Sequence, residues 1–160
     1  MRKLKLYIET STWNFVFAQD SPEKMALTKQ FFDLAGKGVY EILISDVVLA
    51  EIQRAPREIR DQLTGLINEF APVELQITQE AERLAQVYIE RKIIPEKKIE
   101  DALHVAVATV DEVDAVVTWN YQHLANIRKA ELFYSANLEM GYHKRIEIIT
   151  PLEVIGYDEI

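Results

Sequence analysis

Short apolar runs that alternate with longer, capped segments are the feature that most restricts the fold of this chain. Five runs have the length and composition of strands, and they cover residues 3–8, 40–44, 73–77, 115–118 and 146–149. Helical patterns lie between them, with starts at Thr10, Ser21, Ser45, Glu58, Thr78 and Pro95 and a last helix over residues 129–140. Strands that alternate with helices form parallel sheets with helices on both faces. The sequence therefore predicts a three-layer α/β/α sandwich with a mainly parallel sheet of about five strands.

Size and composition predict a single domain over residues 1–160. Hydrophobic residues make up 49% of the chain and charged residues 28%, which is ordinary for a globular domain with its own core. No apolar stretch approaches the roughly 20 residues of a membrane-spanning helix, and the basic N-terminus runs into a strand without the apolar segment of a signal peptide. The absence of cysteine excludes thiol catalysis and zinc–thiolate sites. We therefore expect a cytoplasmic protein without a membrane segment.

The acidic balance of the chain restricts its partners. A net charge of −8 argues against broad, non-specific binding to a nucleic-acid backbone, which normally requires a basic face. It does not exclude a nuclease, because a carboxylate cluster is negative until a metal binds. Basic residues follow Glu51 and precede Asp101, namely Arg54, Arg57, Arg60, Lys97 and Lys98. A solvated helix face is the simpler explanation of these five.

Four acidic or amide residues stand next to apolar runs and point to a metal site. Glu9 closes the first strand, Glu51 follows the apolar run after the second, Asp101 opens a strongly apolar helix, and Asn120 follows the fourth strand. Parallel sheets place their sites at the carboxyl ends of their strands. Oxygen ligands that are distant in sequence and meet at one edge suit a hard divalent cation. Such a cation, Mg²⁺ or Mn²⁺, commonly serves phosphoryl chemistry, so the pattern predicts a metal-dependent nuclease.

Each of these residues also has a simpler interpretation. Glu9 can complement a helix dipole, which is worth a few tenths of a kcal/mol, and Glu51 can lie on the wet side of its helix. Asn120 can be a turn residue. Asp101 is harder to explain in this way, because a carboxylate on a buried helix needs a cation or strong donors; its alternative is charge complementation of the first helical turn.

Three further residues are expected to support the ligands. His104 lies one turn beyond Asp101 on the same helix face, and we expect it to donate to a neighbouring carboxylate or carbonyl rather than to bind metal. Thr118 can hydrogen-bond a ligand carboxylate, and Ser11 is placed with it in support. Trp119 is expected to pack rather than to stack on a base.

Four segments together resemble a known family. They are Glu9-Thr10-Ser11, the segment from Ser45 to Glu51, Asp101-Ala102-Leu103-His104 and Thr118-Trp119-Asn120. In this order they resemble the PIN-domain ribonucleases, and within them the VapC-like toxins of toxin–antitoxin systems. The resemblance implies a parallel sheet between helices and an acidic pocket that binds Mg²⁺ or Mn²⁺ and hydrolyses RNA. It also implies a protein antitoxin, a homodimer, and four pocket positions: Glu9, Glu51, Asp101 and Asn120.

The chain departs from the common family pattern at two of these positions. The first is usually aspartate, which is one methylene shorter than Glu9, and the last is usually aspartate, whereas Asn120 brings no charge. The segment that follows Asn120 resembles a subgroup in which both substitutions are habitual. Two alternatives remain: a PIN fold that binds RNA or a protein without cutting, and a small-molecule phosphatase or flap-type DNA nuclease. A DNA nuclease is the less favoured hypothesis, because the chain is short and lacks an evident basic arch or clamp.

Overall fold

Five parallel strands form one sheet in the computed structural model, which describes residues 2–158. The strands are β1 (Leu4–Ile8), β2 (Tyr40–Ser45), β3 (Val73–Leu75), β4 (Ala115–Val117) and β5 (Glu147–Ile149). Their order across the sheet is β3-β2-β1-β4-β5, and every neighbouring pair is parallel. The predicted parallel α/β architecture is therefore confirmed. The single domain expected over residues 1–160 extends beyond the described residues and stays a prediction.

Both faces of the sheet are covered by helices. Successive side chains of a strand point to opposite faces, yet Leu6, Tyr7 and Ile8 are all buried, with at most 2% of each residue exposed. In the described part of the chain the helices are α1 (Thr10–Phe15), α2 (Pro22–Ala35), α3 (Asp46–Gln53), α4 (Arg57–Phe70), α5 (Gln79–Glu90), α6 (Ile99–Val110), α7 (Ile127–Glu139) and α8 (Pro151–Asp158), with a 3-10 turn at Glu96–Lys98. None of these helices is long and apolar enough to cross a membrane.

Three helices begin at other residues than the sequence predicts. The helix expected from Glu58 is α4, which begins one residue earlier, at Arg57. The helix expected from Pro95 is α6, which begins at Ile99 because the 3-10 turn precedes it. The helix expected over residues 129–140 is α7, which begins at Ile127. Asn126 caps it, since its side chain accepts a backbone hydrogen bond at 2.9 Å.

The last helix, α8, has no counterpart in the sequence prediction, which ends the final strand at Pro151. The backbone amide of Leu152 donates to Thr150 Oγ1 at 3.3 Å, and the amide of Thr150 donates to Glu153 Oε2 at 2.8 Å. This reciprocal arrangement is a capping box, and proline is favourable at the first helical position. α8 packs against α2.

The carboxyl ends of the three central strands bring the functional candidates together. Ile8 of β1 is paired with Val117 of β4, and the amide of Glu9 donates to the Val117 carbonyl at 3.1 Å. β2 lies on the other side of β1 and ends at Ser45, whose Oγ accepts from the Val47 amide at 3.2 Å and so caps α3. The residues that follow β1, β2 and β4 therefore share one edge of the sheet.

Candidate active site

Glu9 is a buried carboxylate with one oxygen held and the other open. Only 4% of the residue is exposed. Its Oε1 accepts hydrogen bonds from the Ser11 amide at 3.1 Å, from Ser11 Oγ at 2.5 Å and from Thr118 Oγ1 at 2.6 Å. Its Oε2 accepts no hydrogen bond from residues 2–158 and lies 3.9 Å from His104 Nε2. The bond from the Ser11 amide caps α1, so the helix-start interpretation also applies to Glu9.

Glu51 has the same division between its two oxygens. Its Oε1 accepts from Thr10 Oγ1 at 2.7 Å and lies 2.5 Å from His104 Nε2, whereas Oε2 has no hydrogen-bond donor in the described part of the chain. Partial burial raises the pKa of Glu51, but the hydrogen bonds from His104 and Thr10 and the charge of His104 outweigh burial and leave it lowered. The carboxylate is therefore held in its ionised form.

His104 connects the two glutamates to a buried hydroxyl pair. The residue is fully buried, and its Nδ1 lies 2.7 Å from the Tyr7 hydroxyl, which lies 2.6 Å from Ser45 Oγ. Because an ionised carboxylate only accepts hydrogen bonds, the proton between His104 and Glu51 belongs to Nε2. Burial chiefly raises the pKa of Tyr7 well above its usual value, so its hydroxyl stays neutral and can accept a hydrogen bond from Nδ1 when the ring is protonated.

The positive charge of His104 offsets part of the negative charge of this cluster. Burial lowers the pKa of His104, but the hydrogen bond to Glu51 and the negative charges of the three neighbouring carboxylates outweigh burial, so the pKa is raised. The lowered pKa of Glu51 and the raised pKa of His104 both describe an ion pair. A protonated His104 thus compensates part of the acidic charge.

Asp101 lies one turn before His104 on α6 and is partly buried. Burial and then the charge of Glu9 raise the pKa of its carboxyl, against the opposing charges of His104 and His123. Its carboxylate forms no hydrogen bond or ion pair with the residues that the structure describes. A partly desolvated carboxylate beside other carboxylates and without a donor is the kind of group that a cation stabilises.

Asn120 occupies a turn at the end of β4. Its Oδ1 accepts from the His123 amide at 3.0 Å, and its own amide donates to Thr118 Oγ1 at 3.0 Å. Thr118 donates in turn to Glu9, so Asn120 reaches the glutamate through one hydroxyl. An amide oxygen has two lone pairs, so one remains for a further partner.

Among residues 2–158, Glu9, Glu51 and His104 form a group whose potential ligand atoms all lie within 4.8 Å of one another. Two ligand atoms that each lie about 2.0–2.6 Å from one ion are at most about 5 Å from each other. This group is therefore compact enough for a single cation. His104 Nε2 can bind metal only after losing the proton that it donates to Glu51, whereas the open carboxylate oxygens need no such change. The donor set therefore fits a hard, oxygen-bound cation such as Mg²⁺ or Mn²⁺. Asp101 and Asn120 lie outside the compact group.

Sequence reasoning did not find Tyr7, Ser45 and Thr10 as parts of this cluster. In the sequence Tyr7 is interpreted as a β-favouring residue and Ser45 as a helix cap. Ser45 does cap α3 in the structure. A hydroxyl in an otherwise apolar buried strand is the signal that could have identified Tyr7, because such a group must find a partner. Trp119 packs, as expected: 5% of it is exposed, and its Nε1 donates to Thr28 Oγ1 at 2.8 Å.

Solved structures show that this fold is known. One is VapC20 from Mycobacterium tuberculosis, a sarcin-ricin loop cleaving toxin, with a TM-score of 0.58 and 16% sequence identity over 74% of this chain and 92% of that one. Another is VapBC2 from Rickettsia felis, solved with a DNA fragment from its promoter, with a TM-score of 0.58 and 14% identity over 92% of this chain and 98% of that one. No protein-family model and no curated protein matches the chain. The PIN-like fold is therefore confirmed, whereas the subgroup with Glu9 and Asn120 stays a prediction.

Proposed function

We propose that this protein is an endoribonuclease that depends on Mg²⁺ or Mn²⁺ and acts as the toxin of a toxin–antitoxin pair. The observation that carries the proposal is that two carboxylates use only one of their oxygens within the described chain. Glu9 and Glu51 each have one oxygen held by hydrogen-bond donors of the protein and one oxygen free to bind a cation. Asp101 adds a third carboxylate, which has no hydrogen-bond donor among the described residues. The fold shared with VapC20, a sarcin-ricin loop cleaving toxin, supports RNA as the substrate.

The residues of the chain divide into ligands and supports in this proposal. Glu9, Glu51 and Asp101 hold the cation through their open oxygens, with Asn120 as a neutral fourth position. A bound Mg²⁺ or Mn²⁺ supplies an activated water and neutralises the charge that develops on the scissile phosphate. The hydrogen bonds to Glu9 and Glu51 position these two carboxylates in advance, which lowers the reorganisation needed when the substrate arrives.

The supports act on specific atoms. Ser11 and Thr118 hold Oε1 of Glu9, and Thr10 and His104 hold Oε1 of Glu51. His104 also keeps Glu51 ionised and ready to bind a cation. Groups of this kind behind the ligands typically change metal affinity or activity by about 10–100-fold when removed.

The antitoxin and the second copy are further parts of the proposal. The Rickettsia felis structure contains a VapBC pair, which supports a protein partner for this chain. Apolar side chains of α7 are exposed, with Ile127 at 86% and Leu132 at 42%, and such surfaces are typical of interaction sites. Light scattering of the purified chain measures whether it forms the expected homodimer. The cytoplasmic location stays a prediction.

The decisive experiment compares RNA cleavage by the wild-type protein with Mg²⁺, Mn²⁺ or EDTA, and by Asp101→Asn under the same conditions. We expect cleavage only with metal and loss of cleavage in Asp101→Asn. Asp61→Asn is the matched control, because Asp61 is exposed on α4 and forms a long ion pair with Arg57 at 4.0 Å, its one ion pair among the described residues.

Thermal unfolding with and without Mn²⁺ gives a second readout that needs no substrate. A cation that binds only the native state stabilises it by about 2.7 kcal/mol at a hundred times its dissociation constant, and this gain should disappear in Asp101→Asn. The variant itself should fold at least as well as wild type, since the raised pKa of Asp101 means that its ionised form opposes folding at neutral pH. If wild type cleaves RNA no more than Asp101→Asn does, and both proteins still bind RNA, the nuclease hypothesis is refuted and a binding module is favoured.

A further inference from the structure

A lysine surrounded by aromatic rings lies beside the candidate active site. Lys24 Nζ is 5.4 Å from the ring centre of Phe15, 5.6 Å from that of Trp119 and 5.3 Å from that of Tyr121. We call these four residues the Lys24 cluster. Each ring face attracts the ammonium group, so the position of the charge is defined without a carboxylate.

The charge of Lys24 is not neutralised within the part of the chain that the structure describes, where no Asp or Glu pairs with it. The other cation over a ring differs in this respect: Arg145 lies 4.7 Å from the Tyr134 ring centre and also pairs with Glu131 and Glu147. Arg145 is therefore a surface contact with balanced charge. Lys24 keeps a positive charge available for an external anion, on a protein whose net charge is −8.

The Lys24 cluster is directly connected to the acidic pocket. The amide of Trp119 donates to Ser11 Oγ at 2.9 Å, and Ser11 donates to Glu9 at 2.5 Å. Asn120, the residue between Trp119 and Tyr121, is bound through Thr118 to the same carboxylate. The backbone of Trp119 is therefore bonded to the same hydroxyl that holds Glu9, so the cluster adjoins the pocket.

Tyr121 is the ring of this cluster that is presented to solvent. It is 48% exposed, whereas Trp119 is 5% exposed and packs inward. The turn that carries Tyr121 is held at both ends, since Asn126 Nδ2 donates to the Tyr121 carbonyl at 2.7 Å and the His123 amide donates to Asn120 Oδ1 at 3.0 Å. A fixed, exposed ring loses little entropy when another flat group stacks on it.

We infer that the Lys24 cluster is a subsite for single-stranded RNA, in which one base stacks on Tyr121 and a neighbouring phosphate binds Lys24. The inference rests on the proposed ribonuclease function and extends it to the kind of RNA that the site accepts. An exposed aromatic ring with an unpaired cation is the arrangement that binds unstacked bases with little sequence preference. A base within a duplex cannot offer its face in this way, so loops and single strands are preferred.

Binding is measured with a short labelled single-stranded RNA and with the same RNA as a duplex, in the Asp101→Asn background so that the RNA stays intact. Tyr121→Ala should weaken single-strand binding about tenfold or more, and Tyr121→Phe, which keeps the ring, should bind like the parent. Lys24→Gln should lower the slope of log affinity against log salt by about 0.7, the value for one phosphate contact on a single strand.

Two control variants separate this subsite from general surface effects. Tyr134→Ala removes the ring of the other cation–π pair, and Lys37→Gln removes an exposed lysine at the opposite end of the sheet; neither should change RNA binding. Folding of each variant is checked by its melting temperature. Parent-like binding by a folded Tyr121→Ala protein overturns the inference, and so does equal weakening for single-stranded and duplex RNA. Failure of the proposed function is distinct: wild type then cleaves no RNA with Mn²⁺, while single-strand binding still depends on Tyr121.

Discussion

Replacing Tyr7 by phenylalanine should weaken the buried support of the candidate active site without creating a cavity. The hydroxyl lies 2.7 Å from His104 Nδ1 and 2.6 Å from Ser45 Oγ, and all three residues are fully buried. Ser45 keeps the hydrogen bond from the Val47 amide at 3.2 Å, but Nδ1 loses its partner. At about 1–3 kcal/mol for an unpaired buried polar group and about 1 kcal/mol for the second hydrogen bond, we expect the free energy of unfolding to fall by about 2–4 kcal/mol.

Tyr88→Phe is the matched control for this substitution. Tyr88 is also fully buried, and its hydroxyl donates to Asn137 Oδ1, at a position that makes no contact with the acidic pocket. Asn137 keeps the hydrogen bond that its Nδ2 donates to Thr109 Oγ1 at 3.3 Å, but its buried Oδ1 loses its donor, so we expect a loss of about 1–3 kcal/mol.

The assay is urea denaturation of both variants and wild type, repeated over a series of Mn²⁺ concentrations. Both substitutions should lower the midpoint, but only Tyr7→Phe should weaken the response to Mn²⁺, by about 10–100-fold, because His104 no longer holds Glu51 in one orientation. Equal Mn²⁺ responses for the two variants would refute the role of Tyr7 beneath the site.

Two further predictions concern charge. Asn120→Asp should preserve or raise Mn²⁺ affinity and RNA cleavage, because the new carboxylate can still accept from the His123 amide and adds a charged oxygen. A titration of the cleavage rate against Mn²⁺ checks this prediction. A loss of Mn²⁺ affinity would show that residue 120 is not a metal ligand. The hydrogen bond from Arg2, and then those from Lys144 and the Lys5 amide, hold the pKa of Asp114 below its usual value against the opposing effect of burial. The stabilisation from ionised Asp114 is therefore complete above the unfolded-state pKa of about 4 and decreases as the pH falls through the range below it. In acid denaturation curves the stability difference between wild type and Asp114→Asn should shrink as the pH falls. A difference that stays constant would contradict the lowered pKa of Asp114.

Local sequence patterns were sufficient for the architecture and for part of the candidate site. Strand and helix periods depend on which faces of an element are buried, and that information lies in neighbouring residues. Glu9 was identified because it follows a strand, and the ends of parallel strands meet at one edge. Asp101 was identified because a carboxylate on an apolar helix needs compensation. The boundaries of α6 and α7 and the whole of α8 were missed, because caps such as Asn126 and Thr150 compete with other turn residues whose effect the sequence alone does not rank.

Contacts between distant segments were decided only by the tertiary structure. Tyr7 looks like any strand residue, and it becomes a hydrogen-bond partner of His104 only because β2 pairs with β1 on one side while α6 packs over it. Lys24 and Tyr121 are likewise brought together by packing between α2 and the turn after β4. A sequence specifies the period and the polarity of each element, but which polar groups meet depends on strand order and helix packing. These are set by the burial of the whole apolar surface, to which every element contributes at once.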